Sequence, residues 1–240
     1  MNYHFGLNYS LEFSDLSDGG PAVYHTREDF TQNFTDFLGE HFSVPDTTAY
    51  AIANAVLYRM GDARLHYHTP YHVLAMLHCY YNLPESSRPK LDPIVELAIW
   101  FHDVVYIPGA KPEQNEKDSA DVAIALMRPW LNPVQQRELR EQIEATALYE
   151  VSHTLSTDRY DTIFDLDLAN LASPSFEPSN LGIRLEFEHV SEEDWLKGRR
   201  KFLETMLNKP TIYRTIYFQK NFEEAARENL QKALEQLDGD

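Results

Sequence analysis

A histidine and a carboxylate stand in the middle of one of the most apolar stretches of this 240-residue chain. His102 and Asp103 interrupt residues 97–106, whose other members are almost all hydrophobic. A segment that is apolar on every side belongs in a core, where an ionised aspartate is costly unless something compensates it. A bound metal cation is the strongest compensation, and a His–Asp pair satisfied by backbone groups is the alternative. These residues alone leave both interpretations open.

A second group of histidines surrounds a predicted helix start. Thr69 followed by Pro70 is typical of a capping residue and a proline in the first helical position, so we expect a helix from here to about residue 82. His72 then lies in the first turn, on the apolar stripe, and points towards the core. His68 precedes the helix and lies in a loop, where it could overhang whatever His72 binds.

Two acids lie in the middle of a third apolar segment, residues 160–172, which the pattern predicts to be helical. Asp167 shares its face with Ile163, Phe164 and Leu171, so it is the acid that we expect to point inward. Asp165 falls on the face of the preceding polar loop. Because it is only two residues away, it remains the alternative to Asp167.

Four inward-facing polar side chains are thus available: His72, His102, Asp103 and Asp167. Two imidazoles and two carboxylates suit a divalent transition metal such as Mn, Fe, Zn, Co or Ni, with water completing the coordination. His102 and Asp103 are adjacent, so they are about 100° apart around a helix axis, yet both side chains can reach one ion that lies between their two directions.

The rest of the chain predicts an all-α fold, because apolar residues recur at helical spacing and no run alternates in the manner of a strand. We expect an N-terminal extension over residues 1–25 and a single helical domain over 26–240, with the metal-binding core at about 60–172 and C-terminal helices within 180–237. The helices predicted from this pattern cover about 26–41, 45–58, 70–82, 93–107, 115–127, 133–149, 160–172, 180–189, 192–208 and 217–237.

Composition excludes several classes of partner. The 21 basic residues are outnumbered by 38 acidic ones, and a net charge of -17 argues against nucleic-acid polymers and anionic membrane surfaces. A single cysteine, Cys79, rules out an intramolecular disulfide and a cysteine-based zinc site, which fits a reducing compartment. The N-terminal residues lack the pattern of a signal peptide. We expect a soluble, cytoplasmic protein, and the sequence leaves its oligomeric state open.

The order of these motifs resembles the HD superfamily of metal-dependent phosphohydrolases, which is named after its His-Asp doublet. Residues 67–73, Tyr-His-Thr-Pro-Tyr-His-Val, are also similar to the histidine motif of the cyclic-nucleotide phosphodiesterases. Further blocks look like those of a bacterial group of predicted HD-type phosphohydrolases, and the resemblance extends over roughly residues 45–232. These blocks are residues 67–72, 100–106, 115–120, 165–168, 183–187 and 226–230.

The resemblance implies a role for each site residue. His72, His102, Asp103 and Asp167 would bind the metal, whose bound water attacks phosphorus. The resemblance supplies no substrate, and our leading hypothesis is a small phosphorylated metabolite, with a nucleotide as the first guess. His68 would protonate the leaving oxygen.

Further candidates have plain structural alternatives. Arg64 could neutralise a phosphate oxygen or lie on the surface, and Glu116 could orient the attacking water or simply favour a helix N-terminus. His153 could approach the metal from its loop or be solvated. Arg184 could contact substrate, although we expect it to form a buried ion pair with Glu186. The cluster 199–201, Arg-Arg-Lys, is typical of a solvated helix face.

Two other functions are compatible with the same residues. A non-catalytic sensing module could bind a metal and a nucleotide as ligands, and it would show affinity without turnover. A di-iron oxygenase on the same scaffold would need additional ligands, for which His68 and His153 are the obvious candidates.

Overall fold

The computed structural model describes residues 22–84, 92–147 and 158–239. Over these residues the chain forms α-helices and short 3-10 helices but no strand, which confirms the predicted all-α class. Most of the predicted extension and the whole loop that carries His153 lie outside the described residues. The α-helices are α1 (Ala22–Phe42), α2 (Asp46–Met60), α3 (Pro70–Asn82), α4 (Pro93–Phe101), α5 (Gln114–Met127), α6 (Pro133–Ala145), α7 (Asp158–Asp167), α8 (Phe176–Glu186), α9 (Glu192–Leu207), α10 (Ile216–Asn221) and α11 (Glu223–Gly239).

Proline marks the first residue of three helices, as the sequence predicts. Pro70, Pro93 and Pro133 each occupy the position where a missing N–H costs nothing. Asp92 caps α4 by accepting a hydrogen bond from the Ile94 N–H at 2.9 Å. Thr69 occupies the capping position of α3, but its side chain makes no capping hydrogen bond.

Helix α4 lies at the centre of the core, because every side chain from Ile94 to Phe101 is buried. Trp100 stacks on Phe34 of α1 with ring centroids 4.6 Å apart, and Phe30 packs edge-on against the same indole at 5.1 Å. The buried apolar side chains of α1 through α11 form one continuous cluster around it. The His-Asp doublet is therefore anchored to the buried core of the molecule.

The doublet itself lies at the end of α4, which corrects the prediction that the helix continues to about residue 107. The His102 N–H still donates to the Ala98 carbonyl at 2.8 Å, but the chain then turns, with the Val104 N–H bonded to the Phe101 carbonyl at 3.0 Å. Asp103 has thus left the helix, and its carboxylate can turn towards the same point as the His102 ring.

The C-terminal third differs from the predicted helices in three places. The segment predicted as one helix over 160–172 is α7 followed by a 3-10 helix over Leu168–Ala172. Helix α8 lies four residues earlier than expected. The last predicted helix is divided into α10 and α11, because the Glu223 carboxylate turns back to accept the N–H groups of Ile212 and Tyr213.

The length and hydropathy of the helices also bear on membrane insertion. Among the described residues, no helix is both long and apolar enough to cross a lipid bilayer.

Candidate metal centre

The four predicted ligands lie close together, and the ligand atoms of His72, His102 and Asp167 all lie within 4.8 Å of one another. His72 Nε2 lies 2.9 Å from Asp167 Oδ1, and His102 Nε2 lies 3.0 Å from Asp103 Oδ2. The two crossed distances, His72 to Asp103 and His102 to Asp167, are both 3.8 Å. The four side chains come from three separate elements: the first turn of α3, the end of α4 and the last residue of α7.

These spacings fit a coordination sphere. Two donor atoms about 2.1 Å from one ion and at right angles around it lie ~3.0 Å apart. His102 Nδ1 is 2.9 Å from the Ile99 carbonyl oxygen, which accepts only, so in the neutral ring Nδ1 carries the proton and Nε2 presents its lone pair. That buried Nε2 is left without a hydrogen bond, although Asp103 Oδ2 lies 3.0 Å away. A buried nitrogen without a hydrogen bond, together with two nearby carboxylates, forms a donor set that suits a transition metal.

The local charge also favours a cation. Burial acts to lower the pKa of His102, but the neighbouring Asp103 and Asp167 carboxylates outweigh it and raise that pKa to about 9. Burial would raise the pKa of Asp103, yet the three histidines around it hold that pKa well below its ordinary value. The site therefore keeps its carboxylates ionised and attracts positive charge.

His68 is held above this cluster by a carboxylate that sequence reasoning did not assign to it. Its Nδ1 lies 2.6 Å from Glu186 Oε2. Glu186 Oε1 accepts the backbone N–H groups of His66, Tyr67 and His68 at 2.8, 2.7 and 2.9 Å. Because the carboxylate only accepts, His68 Nδ1 carries its proton, and Nε2 is the nitrogen left for other partners. Glu186 thus fixes both the loop and the tautomer.

Two contacts complete the support of the His68 ring. The ring stacks on Tyr106 with centroids 3.5 Å apart and planes 12° apart. Helix α8 approaches the loop closely at Gly182, where a Cβ atom would lie 3.3 Å from the His66 carbonyl oxygen. A larger residue at position 182 would push α8, and Glu186 with it, away from His68.

A cavity of about 490 Å³ opens over the cluster. Its lining includes His68, His102, Asp103, Glu116 and Asp167, together with residues of α8 and α9. This volume is within the range of sites for small metabolites.

Of the remaining predicted residues, Glu116 belongs to this cavity and Arg64 does not. Glu116 lines the wall beside the cluster, and burial, reinforced by the charges of Asp103 and Asp167, raises its pKa. Arg64 does not line the cavity; it is 73% exposed and pairs with Asp62 at 2.6 Å. The structure thus fits the surface alternative for Arg64 better than contact with a substrate phosphate.

Asp165 is turned away from the cluster, which resolves the choice between it and Asp167. It is fully buried, and Oδ1 accepts the Arg214 N–H at 2.7 Å. Its Oδ2 accepts both the N–H and the hydroxyl of Thr215, at 2.8 and 2.7 Å. Asp165 therefore fastens α7 to the start of α10, and it faces the interior, contrary to the predicted polar face.

We expect the Asp165→Asn substitution to destabilise the fold while leaving the metal cluster in place. An asparagine keeps the shape but cannot accept all three hydrogen bonds, so the free energy of unfolding should fall by about 1–3 kcal/mol. Urea unfolding measures this loss, and metal titration measures the retained site. Asp46→Asn, a change on the exposed start of α2, is the matched control. Loss of metal binding in a folded Asp165→Asn protein would contradict the structural role.

Arg184 also differs from its predicted pairing. Its guanidinium donates to Glu192 at 2.7 Å and to the Phe187 carbonyl at 2.8 Å, and it lies over the Trp195 ring. The predicted Arg184–Glu186 ion pair is therefore wrong, because Glu186 is engaged by the His68 loop. His153 lies outside the described residues.

A second residue that sequence reasoning missed is Arg199. It lines the cavity and is half-buried against Phe202 and Phe176, so the prediction of a solvated 199–201 face is wrong at this position. Its signal was present: Arg199 lies four residues after Trp195 and three before Phe202, on the same stripe of α9. Glu186 could have been found by the same criterion as Asp103, because it is an acid between two apolar residues, Leu185 and Phe187.

Comparison with family models, with curated proteins and with solved structures gives no significant match to this chain. The function must therefore be inferred from the geometry of the site.

Proposed function

We propose that this chain is a metal-dependent phosphohydrolase acting on a small phosphorylated metabolite. The observation that supports it best is the close approach of His72, His102 and Asp167, with Asp103 beside both histidines, next to a cavity and with the buried His102 Nε2 left without a hydrogen bond. These four side chains would hold one divalent transition metal. When bound, such an ion lowers the pKa of a coordinated water and polarises a phosphoryl oxygen.

His68 supplies the acid in this proposal. Its Nδ1 proton is held by Glu186, so Nε2 carries the second proton when the ring is charged. As the bond between phosphorus and the leaving oxygen breaks, the Nε2 proton passes to that oxygen and prevents a costly alkoxide. The stacked Tyr106 ring keeps His68 in one orientation, so little reorganisation accompanies the transfer.

Glu116 would orient the attacking water and accept its proton. Its raised pKa brings the carboxylate closer to the range in which it can accept a proton at neutral pH. It would orient the water by accepting one hydrogen bond. Glu116 would take the proton that the attacking oxygen loses, while the leaving oxygen gains one from His68.

A substrate panel tests the proposal. Purified protein loaded with Mn²⁺ or Co²⁺ should hydrolyse at least one compound among phosphomonoesters, phosphodiesters and nucleotides, and chelation should stop the reaction. Binding without turnover across the panel would instead favour the sensing module. Two irons per chain together with oxygen consumption would favour the di-iron oxygenase.

We expect turnover to fall at alkaline pH, because the acid form of His68 is required. Burial acts to lower the pKa of His68, but the Glu186 carboxylate and the nearby aspartates outweigh it and raise that pKa. The rate should thus hold as pH rises through 6.5, the ordinary pKa of histidine, and be lost as pH passes the raised value. A pH profile of kcat measures this alkaline limb, the range of pH in which the rate falls.

Glu186→Gln should move that alkaline limb to lower pH, because a neutral amide no longer stabilises the charged ring. At the optimum, kcat should fall about 10- to 100-fold. Glu188→Gln, two residues later on the exposed surface, is the matched control. An unshifted limb in Glu186→Gln would show that His68 is not the acid or that Glu186 does not position it.

A further inference from the structure

A single cation faces the cavity from α9 without an acidic partner. The Arg199 guanidinium donates through Nη2 to the neutral Asn180 Oδ1, and no carboxylate pairs with it within the part of the chain that the structure describes. A half-buried charge that lacks a counter-ion is unfavourable, and burial lowers the pKa of Arg199 to about 10. The group nonetheless stays charged near neutral pH, so it can attract an anion that enters the cavity.

Arg199 and the metal cluster are separate points in the same cavity. Tyr67 links them: its ring lies 5.0 Å from that of His72. Burial raises the pKa of Tyr67, the charges of Asp167 and Asp103 raise it further, and Arg199 acts in the opposite direction. Arg199 lies on α9, whereas the four predicted ligands belong to the start of α3, the end of α4 and the end of α7, so the two groups enter the cavity from different elements.

The surroundings of Arg199 hold it in place for recognition. Its guanidinium lies 4.8 Å from the centroid of the Phe202 ring, which restricts its plane. Asn180 accepts through Oδ1, so its amide Nδ2–H₂ group remains as a donor beside the guanidinium. Both residues thus offer N–H donors to the cavity, and oxygen atoms that carry negative charge are the best partners for such a pair.

We propose that the substrate carries two anionic groups: the phosphoryl group that is hydrolysed at the metal cluster, and a second phosphate or carboxylate that Arg199 and Asn180 bind. This inference rests on the proposed function for the first group, whereas the second depends only on the α8–α9 side of the cavity. Arg199 is then a specificity residue that selects doubly anionic metabolites over simple phosphomonoesters.

Matched probes test this selection by equilibrium binding to the Mn²⁺-loaded full chain. One pair compares a nucleoside bisphosphate with the corresponding monophosphate, and the other compares phosphoglycerate with glycerol phosphate. The first pair adds a phosphate and the second a carboxylate, so the preferred pair identifies the second group. In at least one pair, the doubly anionic probe should bind about tenfold more tightly.

The preference should disappear in Arg199→Gln and persist in Lys201→Gln, which removes an exposed positive charge from the same helix. Asn180→Asp places a negative charge beside Arg199, so it should also abolish the preference, and it serves if Arg199→Gln does not fold. A wild-type chain that distinguishes neither pair, or an Arg199→Gln chain that keeps the preference, would overturn the inference. Because binding is measured, a chain with this preference but no turnover would refute only the hydrolase.

Discussion

Asp103→Ala should remove both metal binding and phosphohydrolase activity. The Asp103 carboxylate lies 3.0 Å from His102 Nε2 and 3.8 Å from His72 Nε2, and it supplies one of the two negative charges of the cluster. Even outer partners of metal ligands are worth about 10- to 100-fold in affinity, so the loss of a direct ligand should weaken Mn²⁺ binding by more than ~100-fold. Turnover should fall to background.

Thermal unfolding separates this effect from misfolding. Wild-type protein should gain stability with increasing Mn²⁺, because the ion binds only the folded state. The Asp103→Ala protein should still unfold cooperatively, at a temperature that Mn²⁺ does not change. Asp121→Ala, a change at an exposed acid of α5, should behave as wild type. Stoichiometric metal and full turnover in Asp103→Ala would rule out the proposed site.

His68→Gln should abolish most turnover while leaving the metal in place. The ring protonates the leaving oxygen in our proposal, and removal of a general acid costs about 10²- to 10⁴-fold in rate. Its contacts include Glu186 and Tyr106, and it is not one of the four proposed ligands, so metal affinity should remain near that of the wild type.

The leaving group gives this prediction its sharpest form. An alkyl phosphate needs the proton and should show the full loss, whereas p-nitrophenyl phosphate has a stable leaving anion and should show a much smaller one. His66→Gln changes an exposed histidine of the same loop and is the control. An equal loss with both substrates would contradict the acid role, and a loss of metal would assign His68 to the cluster.

The sequence predicted the helices best where local signals agree. Proline at the first helical position marked α3, α4 and α6, and the apolar periodicity of each segment followed. It also predicted which side chains point inward, since His72 and Asp167 each share a face with buried residues. The end of α4 was not predictable in this way, because the apolar pattern continues through Val104 and Val105 after the helix has stopped.

Long-range pairings account for the rest. Glu186 binds a loop almost 120 residues earlier in the chain, and Asp165 binds backbone groups of Arg214 and Thr215. Such partners depend on how helices pack, which periodicity does not encode. An acid in apolar surroundings indicates only that some compensation exists. For Asp103 the compensation fits a cation, whereas for Asp165 and Glu186 it is backbone N–H groups.

Anomalous diffraction from crystals soaked in Mn²⁺ tests the metal centre most directly. We expect one strong peak about 2.0–2.2 Å from His72 Nε2, His102 Nε2 and one oxygen each of Asp103 and Asp167. The peak should vanish in Asp103→Ala crystals soaked in the same way. Wild-type crystals without a peak at this point under saturating Mn²⁺, or with the ion held by other residues, would contradict the account.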